Sequence, residues 1–297
     1  YKLFFFFSLC PFKARLVAID AKQTPVEAFR TIALSCLEQF QRNEPGLLAG
    51  GQPEFIHQAR VALRRLRSAI KLFAPVLPPE FVAAYGQTWQ TLAGALGDAR
   101  NWDVFLEETL PPIAQAFPDH KDVKRLRKAA QARAKKARKS VTGLLAISEY
   151  PRLLLEFTAA IYTLRDTLPL PLDDFAKDQI SLHIRKAQKQ GANYAKLDSA
   201  QRHKLRIALK RLRYTLEFFA PLLPDRRLNS YLGALAWLQD ELGQVNDHVT
   251  AETLISETLT KGSMGMIHGW VAGRQSLLVE NLPKALTHWQ TQSSPLP

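Results

Sequence analysis

Cations recur three or four residues apart in His57-Gln-Ala-Arg60-Val-Ala-Leu-Arg64-Arg65-Leu-Arg67. The same order returns as His203-Lys-Leu-Arg206-Ile-Ala-Leu-Lys210-Arg211-Leu-Arg213, at an offset of 146 residues. On a helix at about 100° per residue, His57, Arg60, Arg64, Arg67 and Lys71 share one stripe about 80° wide, with Arg65 on its flank. Leu63, Leu66, Ile70 and Phe73 face the other way, as do Leu205, Leu209, Leu212, Leu216 and Phe219 in the second copy. Stripe neighbours stand about 4.5 to 6 Å apart along the axis, so such a row can meet closely spaced phosphates one after another. Like charges at this spacing weaken an isolated helix by tenths of a kcal/mol per pair, so fold stability alone gives no reason to repeat them.

Covalent chemistry is poorly provided for. The acidic groups near glycine are Asp98 and Asp103 after Gly97, and Asp240, Glu241 and Asp247 around Gly243. They are candidates for Mg²⁺, but carboxylates on adjacent turns also pair with arginines or cap helices. His57 and His203 each precede an arginine by three residues, which favours a neutral ring. Two roles remain open for these rings: binding phosphate once protonated, more strongly as pH falls, or making a structural hydrogen bond near a helix start. Cys10 and Cys36 make no disulfide framework or zinc-ligand spacing, and there is no phosphate-binding glycine loop. No catalytic residue, metal or cofactor is therefore nominated, and a reducing cytoplasm is the expected compartment.

Prolines divide the chain into apolar stretches of helical period, predicting helices over 25–42, 54–74, 79–108, 120–146 and 151–167. A second series is predicted over 174–195, 199–220, 226–260 and 264–281. The fold class is all-α. Thr24, Pro25 and Glu27 mark the first helix with a capping box and a first-turn proline. The repeat keeps register beyond the basic segment: Phe73-Ala74-Pro75 meets Phe219-Ala220-Pro221, Tyr85 meets Tyr231, and Leu96-Gly97 meets Leu242-Gly243. Two related halves, about 24–168 and 172–290, invite a pseudo-twofold arrangement around a shared groove. Residues 1–23 read as a linker or the remnant of an upstream domain, and 291–297 as a tail.

The 297 residues carry 46% hydrophobic residues, enough for a substantial core, and a net charge of +13. Segment 57–71 has five Lys+Arg and no acid, 202–217 has six against Glu217, and 121–139 has ten against Asp122. The rest of the chain is then net acidic, a pattern suited to a polyanion track. Arg133, Lys136, Lys186 and Arg274 are further candidates for it. The competing reading is a solvated or salt-bridged face, with Asp98, Asp103, Asp240 and Asp247 as partners and with Arg67 and Arg213 as structural members. Single-strand nucleic acid binding requires aromatic platforms, and only Tyr214 lies near a stripe, so base readout is unsupported. Membrane-surface binding would need the apolar stripe that the core requires, and no segment approaches the roughly 20 apolar residues of a span.

The doubled His-x-x-Arg-Val/Ile-x-x-Arg/Lys-Arg-x-Arg helix, with Leu-Gly-Asp-x-Arg-Asn-x-Asp at 96–103 and Leu-Gly-x-x-Asn-Asp at 242–247, resembles the CHAD domain, the conserved histidine α-helical domain. The resemblance covers about residues 24–290. It implies two four-helix bundles related by a pseudo-twofold, with a basic central surface that binds inorganic polyphosphate. His57, Arg60, Arg64, Arg65 and Lys71, with His203, Arg206, Lys210 and Arg211, would line that surface. Glu217 departs from the basic character of Lys71. The opening Tyr-Lys-Leu-Phe and Lys13-Ala14-Arg15 resemble the junction after a CYTH domain, as in bacterial CYTH-CHAD inorganic triphosphatases. The alternatives are then the remnant of such an enzyme without its catalytic half, or a nonspecific nucleic-acid-binding helical protein.

Overall fold

Some helix starts carry side chains that satisfy the first free backbone N–H groups. Thr24 Oγ1 accepts from the Glu27 N–H at 3.2 Å and Glu27 Oε2 accepts from the Thr24 N–H at 2.9 Å, completing the anticipated capping box. Asp198 and Gln201 form a second one, at 2.7 and 2.9 Å, in front of the second basic helix. A computed structural model describes residues 10–166, 170–192, 194–258, 265–278 and 281–296.

Twelve α-helices run through these residues, with no strand among them. They are α1 (Pro25–Leu48), α2 (Pro53–Leu72), α3 (Pro79–Thr88), α4 (Gln90–Val104), α5 (Leu110–Ala116) and α6 (Lys121–Ala146). There follow α7 (Glu149–Thr163), α8 (Leu172–Gly191), α9 (Ser199–Phe218), α10 (Asp225–Thr258), α11 (Gly265–Leu278) and α12 (Leu282–Gln290). No helix among the described residues is long and apolar enough to cross a membrane.

The helices depart from the expected boundaries at several points, and at two of them a proline opens a helix. The single helix expected over 79–108 breaks at the buried Trp89. Its continuation then passes through a π turn, Phe105–Thr109, in which the Leu110 N–H reaches back to the Phe105 carbonyl. The wider turn delivers Pro111 and Pro112 to the first turn of α5, where a missing N–H costs little. Pro283 likewise opens α12 rather than ending a helix. Pro45 lies inside α1, which runs to Leu48 instead of 42.

The packing explains where the basic helices lie. α1 packs along α2, α4 against α6, α8 against α9, and α10 against α12, while α2 and α9 touch each other. The large apolar core draws on α1–α4, α6–α10 and α12. A smaller one joins Trp102, Phe105, Ile113 and Leu126 to Ala251, Ile255, Ile267 and Val271. Both cores thus contain residues from both copies of the repeat. Residues 10–23 do not hang free as a simple linker. The Phe12 N–H donates to Asn43 Oδ1 at 3.0 Å, Asn43 Nδ2 donates back to the Phe12 carbonyl at 2.8 Å, and Val17 and Ile19 are buried.

Candidate anion-binding cleft

The two apolar stripes place the two basic ones. Leu63, Leu66, Ile70 and Phe73 on one side, and Leu205, Leu209, Leu212, Leu216 and Phe219 on the other, are fully buried, as the wheel required. Phe73 and Phe219, partners at the 146-residue offset, meet at 5.7 Å between ring centroids, and Phe175 from α8 closes on both. With α2 and α9 held together this way, Arg64 lies 5.5 Å over the Tyr214 ring and Arg65 lies 5.1 Å over Phe218.

Arg60, Arg64, Arg206 and Lys210 then form one cluster of like charge. Burial, with Arg64, Arg206 and Arg60 nearby, brings the Lys210 amine down to about 6, against only a weak opposing pull from Asp247. Arg60 falls to about 10, through burial first and then Arg64, with Arg206 and Arg100 adding to it. Arg206 is lowered by burial, which Asp247 opposes and Arg64 assists. His57 is lowered by burial and by Arg100, with Glu54 opposing. Among the described residues none of Arg60, Arg64, Arg206 and Lys210 forms a salt bridge. His57 Nδ1, Arg64 Nε and Arg206 Nε are buried without a hydrogen-bond partner. Desolvated cations and unsatisfied N–H groups together make a site with a strong demand for an anion.

A cleft of ≈ 820 Å³ opens beside this cluster, with His57, Arg64 and Lys210 in its wall. Lys13 and Arg15 also line it. By sequence these two residues belong to the linker or junction before the first helix, not to the basic track. Their signal lay in Asn43, a buried polar side chain on α1 that binds the backbone of Phe12 and so turns the segment across the cleft.

The other expected residues part company. Arg65 lines the cleft as well, but it is 6% exposed and binds Glu217 at 2.9 Å, so its charge is already answered within the fold. Glu217 also accepts from Arg213 Nε at 2.7 Å, which bears out Arg213 as a structural member. Tyr214 is buried, so its ring offers no face to a base. His203 is exposed although its counterpart His57 is half-buried, and the two are not equivalent. Lys71, Lys186 and Arg211 line a separate cavity. Arg133 and Lys136 line another depression, beside Asp98 and Glu257. Arg274 stands over Trp270 at 5.3 Å, near His248.

The acidic residues do not gather into a metal site. No group of three or more His, Cys, Asp or Glu able to hold an ion occurs among the described residues. Asp103 is buried against Arg138 Nη2 at 2.6 Å, while Asp247 faces Arg206 and Lys210. The opening residues 1–9, on which the CYTH-like junction partly rests, lie outside the described residues.

An all-helical chain with two matching cation-bearing helices set side by side defines a narrow class of protein. The chain belongs to the CHAD domain family, whose model matches residues 31–256. It is similar to the crystal structure of the CHAD domain from the plant Ricinus communis, at 33% identity and a TM-score of 0.82, over 96% of this chain and 98% of that one. PptA from Streptomyces chartreusis shares the fold at 15% identity and a TM-score of 0.65, over 90% of this chain and 99% of its own. No curated protein sequence matches the chain.

Proposed function

We propose that this chain is a binding module for linear inorganic polyphosphate, without covalent chemistry of its own, and that the ligand lies along the cleft between α2 and α9. The observation that carries this reading is the unpaired, partly desolvated cluster of Arg60, Arg64, Arg206 and Lys210, with unpartnered N–H groups beside it. A ligand made only of charged phosphoryl oxygens matches the uniformly cationic character of this cluster. A nucleic acid would bring bases, and the nearest aromatic ring, Tyr214, is enclosed. In the same reading the two repeats are four-helix bundles related by a pseudo-twofold along the α2–α9 seam, with the basic groove between them. The meeting of offset partners Phe73 and Phe219 supports that symmetry.

The test is charge reversal at Arg60, Arg64, Arg206 and Lys210 together. The variant is expected to keep its helical circular dichroism and to lose retention on immobilised polyphosphate, and retention at wild-type strength overturns the assignment. Binding by the wild type should weaken steeply with salt, each good contact adding roughly one ion to the slope, by analogy with phosphate contacts in nucleic acids. Equal affinity for an oligonucleotide of matched charge in direct competition would favour the nonspecific nucleic-acid reading instead.

A further inference from the structure

The repeat offset relates Arg65 to Arg211 and Lys71 to Glu217. In one direction across the α2–α9 seam, Arg65 and Glu217 form an ion pair at 2.9 Å. In the reverse direction the same two positions bring Arg211 towards Lys71, cation to cation. Lys71 is depressed by burial and then by Arg211 and Arg67. The first arrangement carries its own carboxylate in the wall of the larger cleft, whereas the second faces a cavity of ≈ 460 Å³ bounded by α2, α8 and α9 that no carboxylate lines.

The charged side chains lining that cavity are all cationic. Lys71, Lys186 and Arg211 face it, with His183, Ser68 and Gln179, and no carboxylate lines it. His183 Nδ1 donates to the Gln179 carbonyl at 2.9 Å, which fixes the ring and leaves Nε2 as its free end. Arg211 and Lys71 make no salt bridge among the described residues. Tyr214 stands in the wall of this cavity and of the larger cleft, and so divides the two.

We propose that the cavity between α2, α8 and α9 is a second, separate site for one phosphoryl group, and that Glu217 is the chain's own permanent occupant of the matching position across the seam. The ligand chemistry rests on the polyphosphate reading, but the site itself stands on the Arg65–Glu217 pair and its open counterpart. The phosphoryl group comes either from the end of a polyphosphate chain or from a small free phosphate.

Inorganic pyrophosphate is the probe, titrated into the full chain and followed by calorimetry and by melting temperature. Lys71→Glu supplies the carboxylate that the second arrangement lacks, so it should raise the melting point of the free protein. It should also weaken pyrophosphate binding by about tenfold or more, the loss of a charged contact. Charge reversal at Arg60, Arg64, Arg206 and Lys210 should leave pyrophosphate binding in place. Binding lost in that variant but kept in Lys71→Glu, or lost in both, overturns a separate site. So does a wild type indifferent to millimolar pyrophosphate, and normal retention of long polyphosphate in that case leaves the cleft assignment standing. If Lys71→Glu fails to fold, Lys71→Gln with Lys186→Gln is the second variant, expected to bind pyrophosphate more weakly without added stability. Weaker long-chain binding in Lys71→Glu identifies a chain end as the source of the group, and unchanged long-chain binding identifies a free phosphate.

Discussion

In the proposed function, Lys210 would tie ligand binding to protons. Its amine sits at about 6 in the fold against 10.5 ordinarily, so between these values the unfolded chain carries a proton that the native one lacks. Native stability therefore falls as pH is lowered from 10.5 towards 6 and levels off below. Melting curves of the ligand-free protein across that window should show the slope, and Lys210→Met should remove much of it. A polyanion reverses the preference by raising the amine. Binding at pH 8 should take up a proton and tighten as pH falls towards 6, which calorimetry in buffers of different ionisation enthalpy measures. Glu217→Gln acts in another way: it leaves the Arg65 guanidinium, 7% exposed at its side chain, without its carboxylate. Loss of about 3 kcal/mol is expected, read as a lower denaturation midpoint. The wheel makes Arg64 and Lys210 legible as members of two matching stripes on α2 and α9, but it carries no information on the facing helix. Arg65 already lies on the flank of its stripe and takes a ligand role only through the CHAD resemblance, while the enclosure of Tyr214 depends on the facing helix, which the wheel does not show.

At the scale of the element, the α2–α9 seam depends on aromatic packing beneath the charges. Phe73 touches Phe29, Phe175 and Phe219 at 5.7, 5.1 and 5.7 Å between centroids, and is fully buried. Phe73→Ala should cost about 3–5 kcal/mol and loosen the cation cluster with it, so chemical denaturation and polyphosphate retention should both suffer. The helices carrying this seam were readable because their apolar residues recur every three or four positions without interruption. Local pattern and fold diverge at proline, which can open a helix as well as stop one. Pro111, Pro112 and Pro283 all sit in first turns, where the fixed backbone angle helps and the absent N–H is not missed. What distinguishes a proline that ends a helix from one that begins the next is the preceding turn. For Pro111 that is a π turn set by packing around Phe105, which no local pattern announces.

Over the whole molecule, the sequence repeat suggests two units, whereas the packing mixes them. The smaller apolar core joins α4, the π turn, α5 and α6 to α10 and α11, and the larger one joins α1 and α2 to α8, α9 and α12. Residues 24–168 expressed alone would expose one side of both cores. They should give a chain with helical signal but no cooperative melting transition, and mixing with 172–290 should restore one. The shared interior ties the two halves of the sequence to one another, since each apolar core is completed from both. The two halves are therefore free to diverge at their surfaces, as Lys71 and Glu217 have, while remaining bound to a common fate.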